Sequence, residues 1–333
     1  RSIMNDLPRL SGLALLICLV TTMTGQSDGK VTRLLYETSF EEEEGYSTEA
    51  DLIGQNGWIG FAGGDAFLEI SNDGSSGLLT DFLESEGQQA YIGFVKPEQQ
   101  TSVEFLSLLQ PLGFEPAERG GELLRFTVAM GILDSTNGER DNFRWSIYNT
   151  EGFRLFSLDF DNETKAISYA LDDAEPLQAS GFEFDNETFY NLRLDIDFDA
   201  NKWSAWASDV LLVEGLPVST QNLKRDLSDI DAVWAIFKPE APGDNFMIFD
   251  NYRIEVIEEA PPPPTLLPLG HLPNGGFVIR VQGKPNSIYQ LEFSSDLSEW
   301  QVAQNKIDLG VTGSIDWVDD SGGSDSRKFY RLK

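Results

Sequence analysis

Apolar and polar residues alternate through much of the chain. Leu192, Leu194, Ile196 and Phe198 are interleaved with Arg193, Asp195, Asp197 and Asp199. Successive side chains of an extended ribbon point to opposite faces, so this period of two predicts a half-buried strand. Phe143, Trp145 and Ile147 alternate with Arg144, Ser146 and Tyr148 in the same way, as do Leu124, Phe126, Val128 and Met130 with Arg125, Thr127 and Ala129. Phe246, Ile248 and the stretch 252–257 close the pattern. Between the strands lie turn signals: FDNET occurs at 160–164 and again at 184–188, and FDANK at 198–202. Asp and Asn tolerate left-handed backbone and bond their own main chain, so each string marks a reversal or a strand entry. That chemistry also accounts for Asn162-Glu-Thr and Asn186-Glu-Thr without glycosylation. Helix signals are thin, the best being 222–230. Short strands, regular turns and few helices predict an all-β protein: a two-sheet antiparallel jelly-roll sandwich followed by a small β-sandwich domain.

Two punctuation marks divide the chain. Residues 10–20 are uncharged and apolar, preceded by Arg9 and followed by small residues, so 1–25 reads as a secretory signal peptide. The run is shorter than the roughly 20 residues a membrane span needs. The second mark is Pro261–Pro264, with Pro268 and Pro273 close behind, read as a proline-rich linker over 259–272. The expected domains are therefore a sandwich at 31–258 and a small domain at 273–333. The latter carries strand patterns at 276–282, 287–293, 299–302, 314–318 and 328–332, and 283–286 reads as a hairpin turn. Its expected core is Tyr289, Phe293, Trp300 and Trp317. The product is expected to be secreted, periplasmic or on the cell surface.

Composition narrows the chemistry. The net charge of -31 repels phosphate backbones and anionic lipid heads, which argues against nucleic acid and membrane partners and favours solubility. The sole cysteine, Cys18, falls in the export segment, leaving the mature chain without disulfides, thiolate catalysis or cysteine-held zinc. The sole histidine, His271, sits among Pro and Gly, a poor mount for a catalytic imidazole. Gly63-Gly64 and Gly120-Gly121 are isolated pairs, read as bends rather than phosphate cradles.

Three local features resemble the laminin-G-like, concanavalin A-type sandwich of secreted bacterial proteins: YETSFE at 36–41, the strand pair around the Asp-Ala-Asn turn, and FDNYRI at 249–254. Gln55-Asn56-Gly57-Trp58 adds to the likeness. The tail, with YQLEFSSDLSEWQ and RKFYRLK, resembles small fibronectin-III-like modules. Three candidate chemistries follow from the residues and the resemblance together. Asp195 and Asp197 stand at alternating positions of one strand, as the acidic residues of laminarinase-type glucanases do, although those are glutamates. A carboxylate-dependent hydrolase or lyase would use this pair. Sugar binding needs an aromatic platform flanked by planar polar groups. Trp203 and Trp206 point to opposite sides of one strand, and the outward one is expected to share a face with Arg144, Tyr148, Arg193, Asp195 and Asp197. The resemblance further implies a structural Ca²⁺ between the first and last strands, at Glu41 and Asp250. The sequence thus favours a secreted non-catalytic protein that binds extracellular polysaccharide or acts in adhesion, over a hydrolase or a structural spacer.

Overall fold

The computed structural model describes residues 30–64, 68–70, 74–82, 87–96, 103–117, 121–173, 176–259, 263–273, 276–320 and 328–333. The export segment with Cys18 lies outside them. Contacts divide the chain at Glu259/Ala260 into two compact units.

Among the described residues the first unit carries sixteen strands. Its opening strands are β1 (Lys30–Thr38), β2 (Ile59–Gly64), β3 (Leu68–Ile70), β4 (Ser76–Thr80) and β5 (Gln88–Gly93). Then come β6 (Val103–Leu109), β7 (Glu122–Leu133), β8 (Asn142–Tyr148), β9 (Arg154–Phe160), β10 (Ala166–Leu171) and β11 (Gln178–Glu183). The last are β12 (Tyr190–Asp197), β13 (Lys202–Ala207), β14 (Val210–Leu216), β15 (Asp229–Ala235) and β16 (Phe246–Glu259). They form two eight-stranded antiparallel sheets. The first runs β14-β13-β12-β7-β16-β5-β4, with β1 also on β16; the second runs β11-β10-β9-β8-β15-β6-β2-β3. The all-β two-sheet sandwich read from the alternation is the observed fold.

Parity explains the packing. Leu192, Leu194 and Ile196 of the first sheet and Phe143, Trp145 and Ile147 of the second are buried in one core. Phe40, Trp58, Phe126, Trp145, Phe249 and Tyr252 interlock there, with edge contacts such as Phe126 to Tyr252 at 5.0 Å between centroids. Fully burying one such side chain contributes about 2–3 kcal/mol. The turn strings do what their chemistry implies. Asp161 Oδ1 accepts the amides of Glu163 and Thr164, and Lys165, Glu187 and Asn201 adopt positive φ of 65°, 58° and 54°.

Residues 222–230 are not helical. Asn222 is left-handed at φ 57°, Leu227 bridges to Phe114, and β15 begins at Asp229. The buried Asp226 takes the Thr150 amide and the Lys224 ammonium, side-chain bonds that hold an irregular loop better than they would a helix. Among the described residues there is no α-helix, and no helix long and apolar enough to cross a membrane.

The second unit contains β17 (Thr265–His271), β18 (Phe277–Gln282), β19 (Ile288–Ser294), β20 (Gln301–Asp308), β21 (Ser314–Asp319) and β22 (Phe329–Leu332), in sheets β17-β18-β21 and β20-β19-β22. Two expectations need correction. The linker expected over 259–272 is a strand from Thr265 onward: Pro268 sits opposite Ile279 on an edge strand, where a missing N–H is tolerated. The turn at 283–286 makes no hairpin, because β18 and β19 belong to different sheets; it carries the chain from one to the other. The core is largely aliphatic, with Leu266, Ile279, Val281, Leu291 and Ile307, against which Tyr289, Phe293 and Trp317 pack. Trp300 is instead capped by the Arg331 guanidinium, 4.1 Å from the ring centroid.

Candidate functional site

The outward residues of β12 and β13 form one face of the first sheet. Here Arg125 of β7 grips Asp195 with both prongs, Nε to Oδ1 at 2.7 Å and Nη2 to Oδ2 at 2.8 Å. That bidentate pairing raises the Arg125 pKa and occupies the carboxylate. Asp197 Oδ1 accepts the Ala200 amide at 2.8 Å and so closes the turn into β13. Both aspartates therefore serve the fold at these positions. Trp206 points outward, but the guanidinium of its cross-strand partner Arg193 covers it, 3.8 Å from carbon to ring centroid. Trp203 points inward, 1% exposed and stacked on Phe156 at 4.0 Å. The opposite orientation of the two tryptophans follows from strand geometry, as expected.

Arg144 and Tyr148 lie elsewhere. They belong to β8, on the outer face of the second sheet, so the expectation that they share a side with Arg193, Asp195 and Asp197 is wrong. Parity fixed which residues leave the core within a strand. It says nothing about which sheet a strand joins.

Arg144 and Tyr148 line a cleft of about 340 Å³ together with Phe105, Ser107, Ser146, Arg154 and Phe237. Four strands build it. Ser107 comes from β6, Arg144, Ser146 and Tyr148 from β8, Arg154 from β9, and Val233 from β15. Phe105 stands directly opposite Gly63 of β2, and its ring fills the space over the glycine. A Cβ built on Gly63 would fall 2.1 Å from Phe105 Cε1. Glycine at that position lets the aromatic ring settle onto the sheet beside the cleft. At the rim, Phe237 is 63% exposed.

The ground under the cleft is unusually polar for a sheet surface. Arg144 Nε lies 3.0 Å from Asp159 Oδ1, and Ser157 Oγ donates to Asp159 Oδ2 at 2.6 Å. Arg154 Nε donates to the Asp172 carbonyl at 3.1 Å and approaches Asp173. Among the described residues Ser146 Oγ, which is buried, has no hydrogen-bond partner. Asp231, opposite Ser146, accepts from the Ser107 hydroxyl. Burial holds its carboxyl well above the ordinary carboxylate range, and the negative charge of the neighbouring Asp229 pushes it further. Burial also pushes the Tyr148 phenol up to about 12.

Glu41 and Asp250 each accept main-chain hydrogen bonds, Glu41 from the Gln88 amide at 3.2 Å and Asp250 from the Asn251 amide at 2.6 Å. Among the described residues no three His, Cys, Asp or Glu side chains gather into a metal site.

The sequence reading missed Phe105, Arg154, Asp231 and the role of Gly63. The alternation of Asp229 and Asp231 was a visible signal for the acidic pair. The meeting of Gly63 with Phe105 is 42 residues apart in sequence and gave none.

No family model matches the chain, and no curated protein does. Among solved structures it is similar to a carbohydrate esterase of the Shiga toxin-encoding bacteriophage phi24B, with 14% identity and TM-score 0.43 over 68% of this chain and 99% of that one. It is also similar to the CBM2 module of an evolved Dit of Lactobacillus casei BL23 phage J-1, with 12% identity and TM-score 0.41 over 69% and 97%. A sialidase gives 5% identity and TM-score 0.38, with 54% of this chain covering only 17% of that protein. Likeness at this level carries no argument about activity.

Proposed function

We propose that the cleft on the outer face of the second sheet binds carbohydrate without cleaving it, and that the chain is an exported glycan-binding protein. One observation carries the reading: Phe105, laid across Gly63, shares a cleft of about 340 Å³ with the Arg144 guanidinium and the Tyr148 phenol. Sugar rings pack their C–H faces on aromatic rings, and their hydroxyls need fixed polar partners close by. Pockets of roughly 300 Å³ and above accept small ligands.

Catalysis is the less favoured reading. A retaining glycosidase separates its carboxyls by about 5–5.5 Å and an inverting one by more. Among the described residues that line the cleft Glu104 is the single carboxylate, while Asp195 and Asp197 face away on the other sheet.

Affinity electrophoresis through gels containing laminarin, hydroxyethyl cellulose or alginate tests the reading. At least one gel should retard the protein, with no rise in reducing ends. Phe105→Ala and Arg144→Ala should migrate as in a sugar-free gel, and Trp206→Ala should stay retarded. Retention of binding by both cleft variants, or no retardation in any gel, would overturn it.

A further inference from the structure

We propose that occupancy of this cleft is proton-linked: buried Asp231, flanked by the cleft residues Ser107 and Ser146, holds a proton, and sugar is released as that proton is lost. The inference rests on the glycan reading and adds a regulation to it.

Asp231 is 5% exposed. Its Oδ2 accepts from the Ser107 hydroxyl, and its Oδ1 has no donor among the described residues. The neighbouring group is the Asp229 carboxyl, two positions along β15 and therefore on the same face. An ionised carboxylate only accepts; with no donor at Oδ1, the Ser107 hydroxyl alone would hold its charge, and a proton on Asp231 removes that charge.

The surroundings supply no cation to replace it. On β8 Tyr148 stands opposite Asp229 and Ser146 opposite Asp231, and Arg144 and Arg154 line the cleft alongside, with Asp159 paired to Arg144. Ser107 faces Asp231 from β6, with Glu104 at the lip of the cleft. From within the sandwich comes Tyr252 of β16, whose hydroxyl donates to the Ile230 carbonyl at 3.1 Å. Arg144 is turned to Asp159 and Arg154 to Asp173. Among the described residues neither Asp229 nor Asp231 has an ion-pair partner.

A sugar in the cleft displaces water from Ser146, Tyr148 and the rim above Asp231. Removing that solvent makes a negative charge on Asp231 harder to hold, so the bound state keeps the proton to higher pH than the free state. Linkage is reciprocal: a ligand that tightens the proton must itself bind less well where the proton is gone.

The experiment runs the same laminarin, hydroxyethyl cellulose and alginate gels at acidic, neutral and alkaline pH. Retardation of the wild type should weaken with rising pH, by at most about tenfold in affinity per pH unit for one proton. Asp231→Asn, neutral at every pH, should give a flat profile at the acid-side affinity. Asp229→Asn removes a negative neighbour and should move the midpoint to lower pH, which keeps the test open should the first variant fail to fold. Infrared difference spectra should show a protonated-carboxyl stretch in the wild type at neutral pH and lose it in Asp231→Asn. A pH-independent wild type, or an Asp231→Asn variant with the wild-type slope, would overturn the linkage and leave the glycan reading standing. Absence of retardation at every pH would remove both.

Discussion

Phe105 occupies the place of the side chain that Gly63 lacks, its Cε1 only 2.1 Å from where a Cβ would be. The two residues are a cross-strand pair of β6 and β2, so the aromatic wall of the cleft depends on a hydrogen atom in the neighbouring strand. Gly63→Ala should push the ring off the sheet, lowering stability by about 1–3 kcal/mol in a denaturant melt and weakening glycan retardation more than it weakens the fold. Unchanged retardation would detach Phe105 from binding.

Asp195→Asn separates the fold role of this residue from a catalytic one. It removes one charge of a pair whose side chains are 28% and 14% exposed, so stability should drop by about 1–2 kcal/mol. Glycan retardation should not change, since the residue lies on the other sheet.

The two tryptophans of β13 should behave differently. Trp203→Ala empties the core beside Phe156 and should lower stability by about 3–5 kcal/mol. Trp206→Ala loses an outward ring and its contact with Arg193, a change of about 1 kcal/mol or less.

Asp231 makes stability depend on pH with a defined sign. Its folded pKa is raised, so in acid it is protonated in both states and contributes no slope. As pH rises past the unfolded value of about 3.9, the unfolded chain releases the proton while the folded chain keeps it. Stability therefore falls with pH, by about 1.4 kcal/mol per unit at most, until the folded pKa is reached. Melting curves across this window should flatten in Asp231→Asn, and that variant should melt higher than the wild type near neutrality.

Chelation addresses calcium. Main-chain amides already engage Glu41 and Asp250, so the melting temperature should be the same with and without EDTA. A fall that calcium reverses would establish a bound ion.

Much of the fold was legible in the sequence because period-two patterning is local. Leu194 and Asp195 can be assigned to opposite faces from neighbours alone, and the Asp-Asn strings carry their own turn chemistry. Sheet membership is not local. Arg144 and Arg193 follow the same alternation, yet β8 joins one sheet and β12 the other, which scattered the expected site over two faces. The strand at 265–271 was hidden for a similar reason: proline marks an edge strand as readily as a linker, and only the pairing with β18 decides between them. Asp231 looked like any acidic strand residue, because its burial comes from β6 and β8 on either side.

Amide chemical shifts followed during titration with laminarin, hydroxyethyl cellulose or alginate oligosaccharides test the glycan cleft most directly. The account predicts that perturbations gather on Phe105, Ser107, Ser146, Tyr148 and Val233. Shifts centred instead on Arg193 and Trp206, or no shift with any of the three sugars, would contradict it.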